Sequence, residues 1–470
     1  MAGVGLISDR HYWTVSGRVI VTKWALILGN ILEWYESAVY GYFADEIADN
    51  FFQGSSTAAW LGYVVSFVAR PFGGILLGVL ADVKGRRIAT MTSLVGMVVA
   101  TVGQGCIPSE LCCGAGWATP GAVILVILRL VQGLSTGGEI SAVSVFLAES
   151  TPTKAIGMST ALVSVGGNMG FVLAATVHAI IAVLLTSEQV KQWGWRVPFL
   201  VAIVPGLTSI ILRRELKETK AFITQTDAYA QASDDDAYEA SGGNDQQDAL
   251  LLQEKQYKDS FSQVFRPVVE MYKHSKAEAL VAFLGMAGIS AHWYIVVYLQ
   301  TFFTDRLGFS ERIASWLAIV SQGVPLLLCP LVGLLTDMFG VGRIMLFGSI
   351  SMLLAVPGFE LLAVYQTHLT AYIVVGVFAV IQGLAGATPY LFVLELFPVS
   401  QRGLAMGITY NASVALFGGV GALAADAWAK SLLVGPGILI AGSGLISFVT
   451  ISIARRSKSV QTTHIRHHPY

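Results

Sequence analysis

The chain has 470 residues, of which 54% are hydrophobic and only 13% are charged, and its formal net charge at pH 7 is −1. Soluble domains carry about a quarter charged residues, so this composition excludes an ordinary water-soluble protein and indicates one that lies in lipid. The near-neutral charge disfavours a nucleic-acid partner, and the four cysteines, two of them sequence neighbours, do not suggest a disulfide framework.

The apolar segments predict how often the chain crosses a membrane. A helix needs about 20 apolar residues to span a hydrocarbon core of about 30 Å. Twelve stretches are long enough, and we expect no cleavable signal peptide before the first of them. They lie at residues 24–44, 57–81, 88–108, 119–147, 157–185, 195–213, 277–303, 313–336, 343–366, 370–396, 403–427 and 432–454. The sequence therefore predicts an all-α membrane protein with twelve transmembrane helices.

Lysine and arginine in the short loops predict the orientation of these helices. Most of them fall on the side that also carries both termini, for example Arg86, Arg87 and Lys154, and few fall on the other side. We therefore expect both termini in the cytoplasm. A plasma or inner membrane is favoured over an organellar one.

Residues 215–275 interrupt the apolar pattern and divide the helices into two groups of six. The segment is acidic and contains few apolar residues before Leu250, which predicts a mostly disordered linker. The expected domains are a cytoplasmic N-terminal segment (1–23), an N-terminal six-helix bundle (24–214), the cytoplasmic linker (215–275), a C-terminal six-helix bundle (276–454) and a cytoplasmic tail (455–470).

The two groups of helices repeat each other in the same order. Asp82 follows the second apolar segment as Asp337 follows the eighth, and Gln132 corresponds to Gln382. Repeats of six helices keep the same membrane orientation, so these are parallel repeats. We predict the fold of a major facilitator transporter, with two parallel six-helix repeats.

Four stretches carry a closer resemblance. They are 29–43, with Gly29-Asn30 and Glu33-Trp34-Tyr35-Glu36; 129–139, from Arg129 through Gln132 to Glu139; 193–199, Trp-Gly-Trp-Arg-Val-Pro-Phe; and 395–419, with Glu395, Pro398 and Tyr410-Asn411. With the glycine- and arginine-rich loop after the second helix, the chain resembles the metabolite:proton symporter family of the major facilitator superfamily. Members carry α-ketoglutarate, citrate, shikimate, proline and betaine. Relatives usually have Asp where this chain has Glu36.

Three charged side chains are expected near the middle of the membrane. Glu33 and Glu36 lie three residues apart, on neighbouring positions of one helix face. At 1.5 Å per residue they are roughly 14–18 Å deep, and Arg129 of the fourth segment is about 14 Å deep from the opposite side. Ionisable residues inside a membrane are costly and mark functional sites. The resemblance implies that the first and fourth helices both line the central cavity.

The functional interpretation makes Arg129 the anchor for a carboxylate, because its planar fork donates two parallel hydrogen bonds. Glu33 or Glu36 would then carry the proton. The alternative is a permanent Glu–Arg pair that only holds two helices together. Glu139 shares a helix face with Gln132 and is either an inner proton site or a gate residue.

Several other side chains are candidates for contact with a substrate. The predicted binding residues are Arg129, Gln132, Tyr40, His292, Tyr298, Tyr390 and Asn411. We expect Arg70, before a proline, to bond freed backbone carbonyls. His178 and His292 are more often satisfied helix residues than proton relays.

The charged loop after the second helix predicts a gate at one end of the bundle. Its residues, together with an acid at the end of the fourth helix, could hold the halves together in one state and release them in another. They are Asp82, Gly85, Arg86, Arg87 and Glu149. The arginines also serve as topology signals in any case.

The expected function is proton-coupled symport of a small organic solute by alternating access, with a carboxylate metabolite favoured. The alternatives are a membrane sensor, or a uniporter or exchanger for a zwitterion such as proline or betaine. No phosphate loop or catalytic constellation is visible, so we expect no enzyme activity, no cofactor and no metal. The partners would be the solute, protons and lipid, with the monomer as the functional unit.

Overall fold

The structure is a computed structural model that describes residues 10–84, 86–149, 151–214, 268–269, 271–398 and 401–456. Twelve helices, here α1 to α12, cross the bundle. They are Arg10–Tyr42, Ser56–Lys84, Arg86–Cys106, Ala115–Glu149, Thr153–Leu184, the bent pair Ser187–Gly194 with Arg196–Ile211, Lys276–Arg306, Glu311–Phe339, Val341–Tyr365, His368–Leu396, Arg402–Ala429 and Gly435–Arg456. Most of the predicted linker, and the chain ends before residue 10 and after residue 456, lie outside the described residues.

The prediction of twelve membrane-crossing helices is confirmed. Nine helices in the described ranges are long and apolar enough to cross a membrane, and the bent α6 makes a tenth. The remaining two are α1 and α3, of 33 and 21 residues. At 1.5 Å per residue α1 is about 50 Å long, because it begins at Arg10, before the predicted start at residue 24.

The helices form two six-helix halves. In the first half α1 packs along α5 and α2 along α4, and in the second half α7 packs along α12 and α8 along α10. The halves meet where α5 packs along α8 and α2 along α11. We call the end where α1 begins and α12 ends the base of the bundle, and the opposite end the top. This is the predicted major facilitator fold.

Glycines on α4 bring its backbone close to α2. A Cβ atom added at Gly133 would collide with the carbonyl oxygen of Ser66, and one added at Gly137 with that of Arg70. Small residues of this kind let helices approach in lipid, where no hydrophobic force drives them together. The close approach places Arg129, one helical turn from Gly133, directly against α2.

The helix α11 departs from α-helical geometry near the seam between the halves. It contains the π-helical segments Met406–Tyr410 and Val414–Gly419 on either side of Asn411–Ser413. Such π-turns are rare and are frequent at functional sites. They mark α11 as a helix whose side-chain directions differ from those of a regular helix.

Candidate functional site

A buried ion pair joins α1 to α2 in the middle of the bundle. Arg70 Nη1 lies 3.6 Å from Glu33 Oε1, and the two side chains are 2% and 1% exposed. Arg70 Nη2 donates to Ser37 Oγ at 2.8 Å, and the guanidinium lies over the Phe67 ring at 4.6 Å. We expected Arg70 to bond carbonyls freed near its proline. It instead contacts α1, because α2 turns this face towards the acids.

Arg129 is buried within the first half and its donors are largely engaged. Nη1 donates to Gln132 Oε1 at 2.6 Å, and Nη2 donates to Ser66 Oγ at 2.7 Å and to the Tyr63 carbonyl at 3.1 Å. The guanidinium also stacks on Tyr40 at 4.3 Å from the ring centroid. Glu33 therefore pairs with Arg70 rather than with the arginine that the sequence suggested.

Glu36 lies in a second polar group made by α1, α3 and α4. Its side chain is fully buried, beside Thr101 and Gln132 and close enough to Arg129 to feel its charge. Gln132 Nε2 donates to Thr101 Oγ1 at 3.0 Å, and Gln104 Nε2 donates to Gln132 Oε1 at 3.3 Å. The two acids of α1 therefore face different partners, although they are only three residues apart.

An aromatic wall faces these charges from both halves. Tyr294 of α7 lies 4.7 Å from Phe67 and 6.2 Å from both Tyr63 and Trp34, measured between ring centroids. The hydroxyl groups of Tyr63 and Tyr294 are buried and have no hydrogen-bond partner among the described residues. Buried polar atoms are normally satisfied, so unpartnered hydroxyls beside an ion pair indicate a place for a ligand. The sequence analysis did not propose Trp34 or Phe67 as site residues, because the sequence does not show how α1 and α2 are rotated about their axes.

Three of the predicted binding residues lie at the seam between the halves. Tyr298 packs edge-on against Trp60 of α2 at 5.6 Å. Asn411 Nδ2 of α11 donates to the Gly137 carbonyl of α4 at 2.8 Å. Tyr390 of α10 continues the aromatic wall, with its ring centroid 6.2 Å from that of Trp293. Their assignment to substrate binding stays a prediction.

Two other predicted binding residues are occupied elsewhere. The ring of His292 faces α10, inside the second half, where Nε2 lies 3.0 Å from the Phe378 carbonyl oxygen. Tyr294, two positions further along α7, points about 200° away and faces the seam. The Tyr40 hydroxyl donates to the Ala59 carbonyl at 2.9 Å. The structure therefore favours Tyr294 over His292 as a residue that lines the centre.

Contacts at the base join the two halves. Asp337 at the end of α8 accepts hydrogen bonds from the backbone N–H groups of Gly157 at 2.7 Å and Met158 at 3.0 Å, near the start of α5. A carboxylate is favoured there by the helix dipole. Glu149, 42% exposed, lies 3.9 Å from Arg402 at the start of α11. Glu139 is buried on α4 nearer the base.

Gly85 and the side chains of Asp82, Arg86 and Arg87 lie outside the described residues. Their assignment to a gate stays a prediction.

A charged cluster at the top was missed in the sequence. Asp426 of α11 is fully buried and lies 3.4 Å from Arg306 and 3.0 Å from Lys430. Across the seam it accepts hydrogen bonds from the hydroxyls of Ser56 and Thr57 of α2, each at 3.3 Å. We call these five residues the top latch. An acid inside an apolar helix was the available signal, but its partners are far away in the chain.

A second contact at the top is made by His178 of α5. Its Nδ1 lies 2.8 Å from Ser315 Oγ of α8, and its Nε2 lies 2.8 Å from Gln300 Nε2 of α7. Gln300 Nε2 also donates to the Tyr42 carbonyl of α1 at 3.3 Å. The halves are thus in contact at the top, at the centre and at the base, so the central charges are enclosed.

Two parallel six-helix halves that enclose buried charges, with separate contacts at each end, define a secondary transporter of the major facilitator class. The chain belongs to the sugar (and other) transporter family, whose model matches residues 22–454. It is therefore a multi-pass membrane transporter and not an enzyme.

The relatives and solved structures agree with this assignment. The chain is 30% identical over 410 residues to the ectoine/proline transporter ProP of Corynebacterium glutamicum, covering 84% of this chain and 75% of the relative. It is 30% identical over 411 residues to the proline/betaine transporter of Escherichia coli, covering 85% and 76%. A structure of the xylose transporter XylE from E. coli matches with a TM-score of 0.67 at 17% identity, covering 96% of this chain and 99% of that one.

Proposed function

We propose that this protein is a proton-coupled symporter for a small zwitterionic solute. The observation that carries the proposal is the charge balance at the centre, where Glu33 and Glu36 accompany Arg70 and Arg129 behind an aromatic wall. Two acids and two arginines sum to zero. A neutral zwitterion adds no net charge, so the loaded site carries only the charge of the proton that binds with it.

The same balance argues against a di- or tricarboxylate, which the sequence favoured on the strength of Arg129. A multiply charged anion would need cations that are free to pair, since an uncompensated buried charge costs several kcal/mol. Both Nη atoms of Arg129 already bond protein groups. Aromatic faces, by contrast, attract a substituted ammonium by about 0.5–2 kcal/mol each. The names of the relatives, transporters of proline, betaine and ectoine, support the zwitterion as well.

The proposed coupling uses the contact between Glu33 and Arg70. Protonation of Glu33 cancels its attraction for the guanidinium, which then turns its donors to the carboxylate of the solute. Proton and solute therefore bind together and leave together. Glu36 is the second candidate for the proton, and Glu139, buried nearer the base, would receive it on the way out.

Alternating access follows if the two ends open in turn. Opening the top breaks the top latch, and opening the base breaks the contacts of Asp337 and Glu149. We propose that the protein lies in a bacterial inner membrane with the base and both termini on the cytoplasmic side, because the basic loop residues lie on that side. The proposed unit is the monomer, since each chain contains both halves.

Uptake into proteoliposomes tests the proposal. Radiolabelled proline and glycine betaine should accumulate under an inwardly directed proton gradient, and citrate should not. In Glu33→Gln the accumulation should fall more than tenfold, because the site can no longer change protonation, while exchange of internal for external solute persists. Glu188→Gln, an exposed acid of the top that bonds Gln192, is the matched control. Unchanged gradient-driven uptake in Glu33→Gln would remove this residue from the coupling.

A sensor that binds solute without moving it is the second candidate from the sequence. It predicts saturable binding of solute to the purified protein with no net flux into vesicles. The same proteoliposomes separate it from a transporter.

A further inference from the structure

His178 occupies a position where one proton decides a contact between the halves. The side chain is 3% exposed and lies close to the top end of α5. Through Ser315 and Gln300 it contacts α8 and α7 of the second half, and through Gln300 it is linked to the Tyr42 carbonyl of α1. No part of the proposed proton and solute site uses it.

The surrounding donors define which form of the ring fits. The Ser315 hydroxyl donates to the Glu311 carbonyl at 2.7 Å, so its oxygen must accept a hydrogen bond from His178 Nδ1–H. The amide nitrogen of Gln300 is identified by its bond to the Tyr42 carbonyl oxygen, and it lies 2.8 Å from Nε2 and 3.0 Å from Nδ1 of the ring. Because the Nδ1 proton is directed at Ser315, Nε2 is the nitrogen that accepts from this amide. The site therefore holds a neutral imidazole with its proton on Nδ1.

A second proton on the ring would place N–H against N–H. The imidazolium Nε2–H would face the amide N–H of Gln300, which is repulsive. The contact is restored if the amide rotates, because Gln300 Oε1 has no hydrogen-bond partner among the described residues and can accept from the imidazolium. This rotation takes Nε2 away from the Tyr42 carbonyl and breaks the bond between α7 and α1.

We propose that His178 is a proton-sensitive latch of the outer gate, closed when the ring is neutral and released when it is protonated. The inference rests on the proposed function for its orientation, with the top facing outward. Acid outside then favours the outward-open state, in which proton and solute are taken up together.

Charged groups on the packed elements lie one helical turn further towards the top. They are Asp45 and Glu46 on the short helix Ala44–Phe51 that follows α1, Glu311 on α8, and Asp305 and Arg306 at the end of α7. Tyr42 at the end of α1 and the next residue, Phe43, contact the ring itself, with centroids 6.5 Å and 4.6 Å away. Protonation of the acids on the short helix acts against release. Glu311 repels both of them, and Asp305 and Asp426 also repel Asp45, so neutralising these acids favours closure.

Distance measurements on the full-length protein in nanodiscs test the proposal. Spin labels at exposed sites on the top of each half, S187C and S310C, report the opening in a background with the four native cysteines replaced by serine. When the pH is lowered from 8 to 5.5, the ratio of the long-distance to the short-distance population should rise about fivefold to tenfold. This is the effect expected from losing one buried hydrogen bond. In His178→Gln the short distance should persist at both pH values.

The matched control is His292→Gln. His292 is equally buried, but it bonds α10 within one half, so this variant should keep the pH response of the unsubstituted protein. A full response in His178→Gln, or none without a substitution, would overturn the proposal.

Should His178→Gln fail to fold, Gln300→Leu provides a second test, because it removes the bond to Tyr42 and should give long distances at both pH values. Short distances at pH 8 in that variant would also contradict the latch. None of these readouts depends on transport, so a failure of the proposed symport remains distinguishable.

Discussion

Replacing Asp426 with asparagine should open the top of the bundle. The carboxylate holds Arg306 and Lys430 of its own half and accepts two hydroxyl hydrogen bonds from α2 of the other half. Asparagine has nearly the same shape but no charge. The two cations then lose their acid, and the hydrogen bonds across the seam lose their charged acceptor.

The magnitude follows from the contacts that cross the seam. A hydrogen bond to a charged group contributes about 1.5–3 kcal/mol, but the two across the seam are long at 3.3 Å, so we assign about 1 kcal/mol to each. Together they amount to about 2 kcal/mol, roughly a thirtyfold change in the ratio of open to closed tops. Arg306 contacts Asp426 within one half, whereas Lys430 also donates to Thr57 Oγ1 across the seam at 2.6 Å. That bond does not involve the carboxylate, so it remains in Asp426→Asn and is not part of this sum.

Distances between labels on S187C and S310C measure this ratio directly. Asp426→Asn should shift the population to long distances at pH 8. S56A/T57A removes the same hydroxyl donors and also the Thr57 oxygen that accepts from Lys430, so it should shift the population at least as far. Adding Asp426→Asn to S56A/T57A should change the ratio little further, because the hydroxyls that the carboxylate bonds are already absent. A distance distribution like that of the unsubstituted protein in Asp426→Asn would refute the reasoning.

Two further predictions concern groups outside the centre. Cys112 lies in the connection between α3 and α4. Partial burial raises the pKa of its thiol, but hydrogen bonds from Cys113 and Ser109 outweigh this effect and bring the pKa to about 7. Its reaction with a water-soluble maleimide should therefore reach half its maximal rate near pH 7 and shift to higher pH in Cys113→Ala, which removes the donor; an unshifted profile would contradict the assignment. Gly133→Ala should destabilise the protein by about 3 kcal/mol or more, because its Cβ meets the Ser66 carbonyl, whereas Gly376→Ala, with open space around it, should unfold at the original temperature in a fluorescence-monitored melt.

Much of the central site could be located in the sequence by depth alone. Glu33, Glu36 and Arg129 were expected near the middle of the membrane, and they are buried there. Depth follows from counting residues along a helix. The pairing did not follow, because Arg70 and Arg129 both reach the centre and the rotation of α2 about its axis decides which of them faces Glu33.

The sequence by itself determined the number of helices, the approximate length of each except α1, and the two parallel repeats. These are local properties, since a span needs only enough consecutive apolar residues, and a repeat is visible wherever similar residues recur at a similar place.

Only the tertiary structure decided which side chains meet across the seam. Asp426 meets Ser56, and Asp337 caps the start of α5, although each pair is far apart in the chain. Along α7, His292 faces its own half while Tyr294 faces the other. A change of two positions turns a side chain to the opposite face of a helix, so these contacts depend on how the twelve helices are rotated and packed.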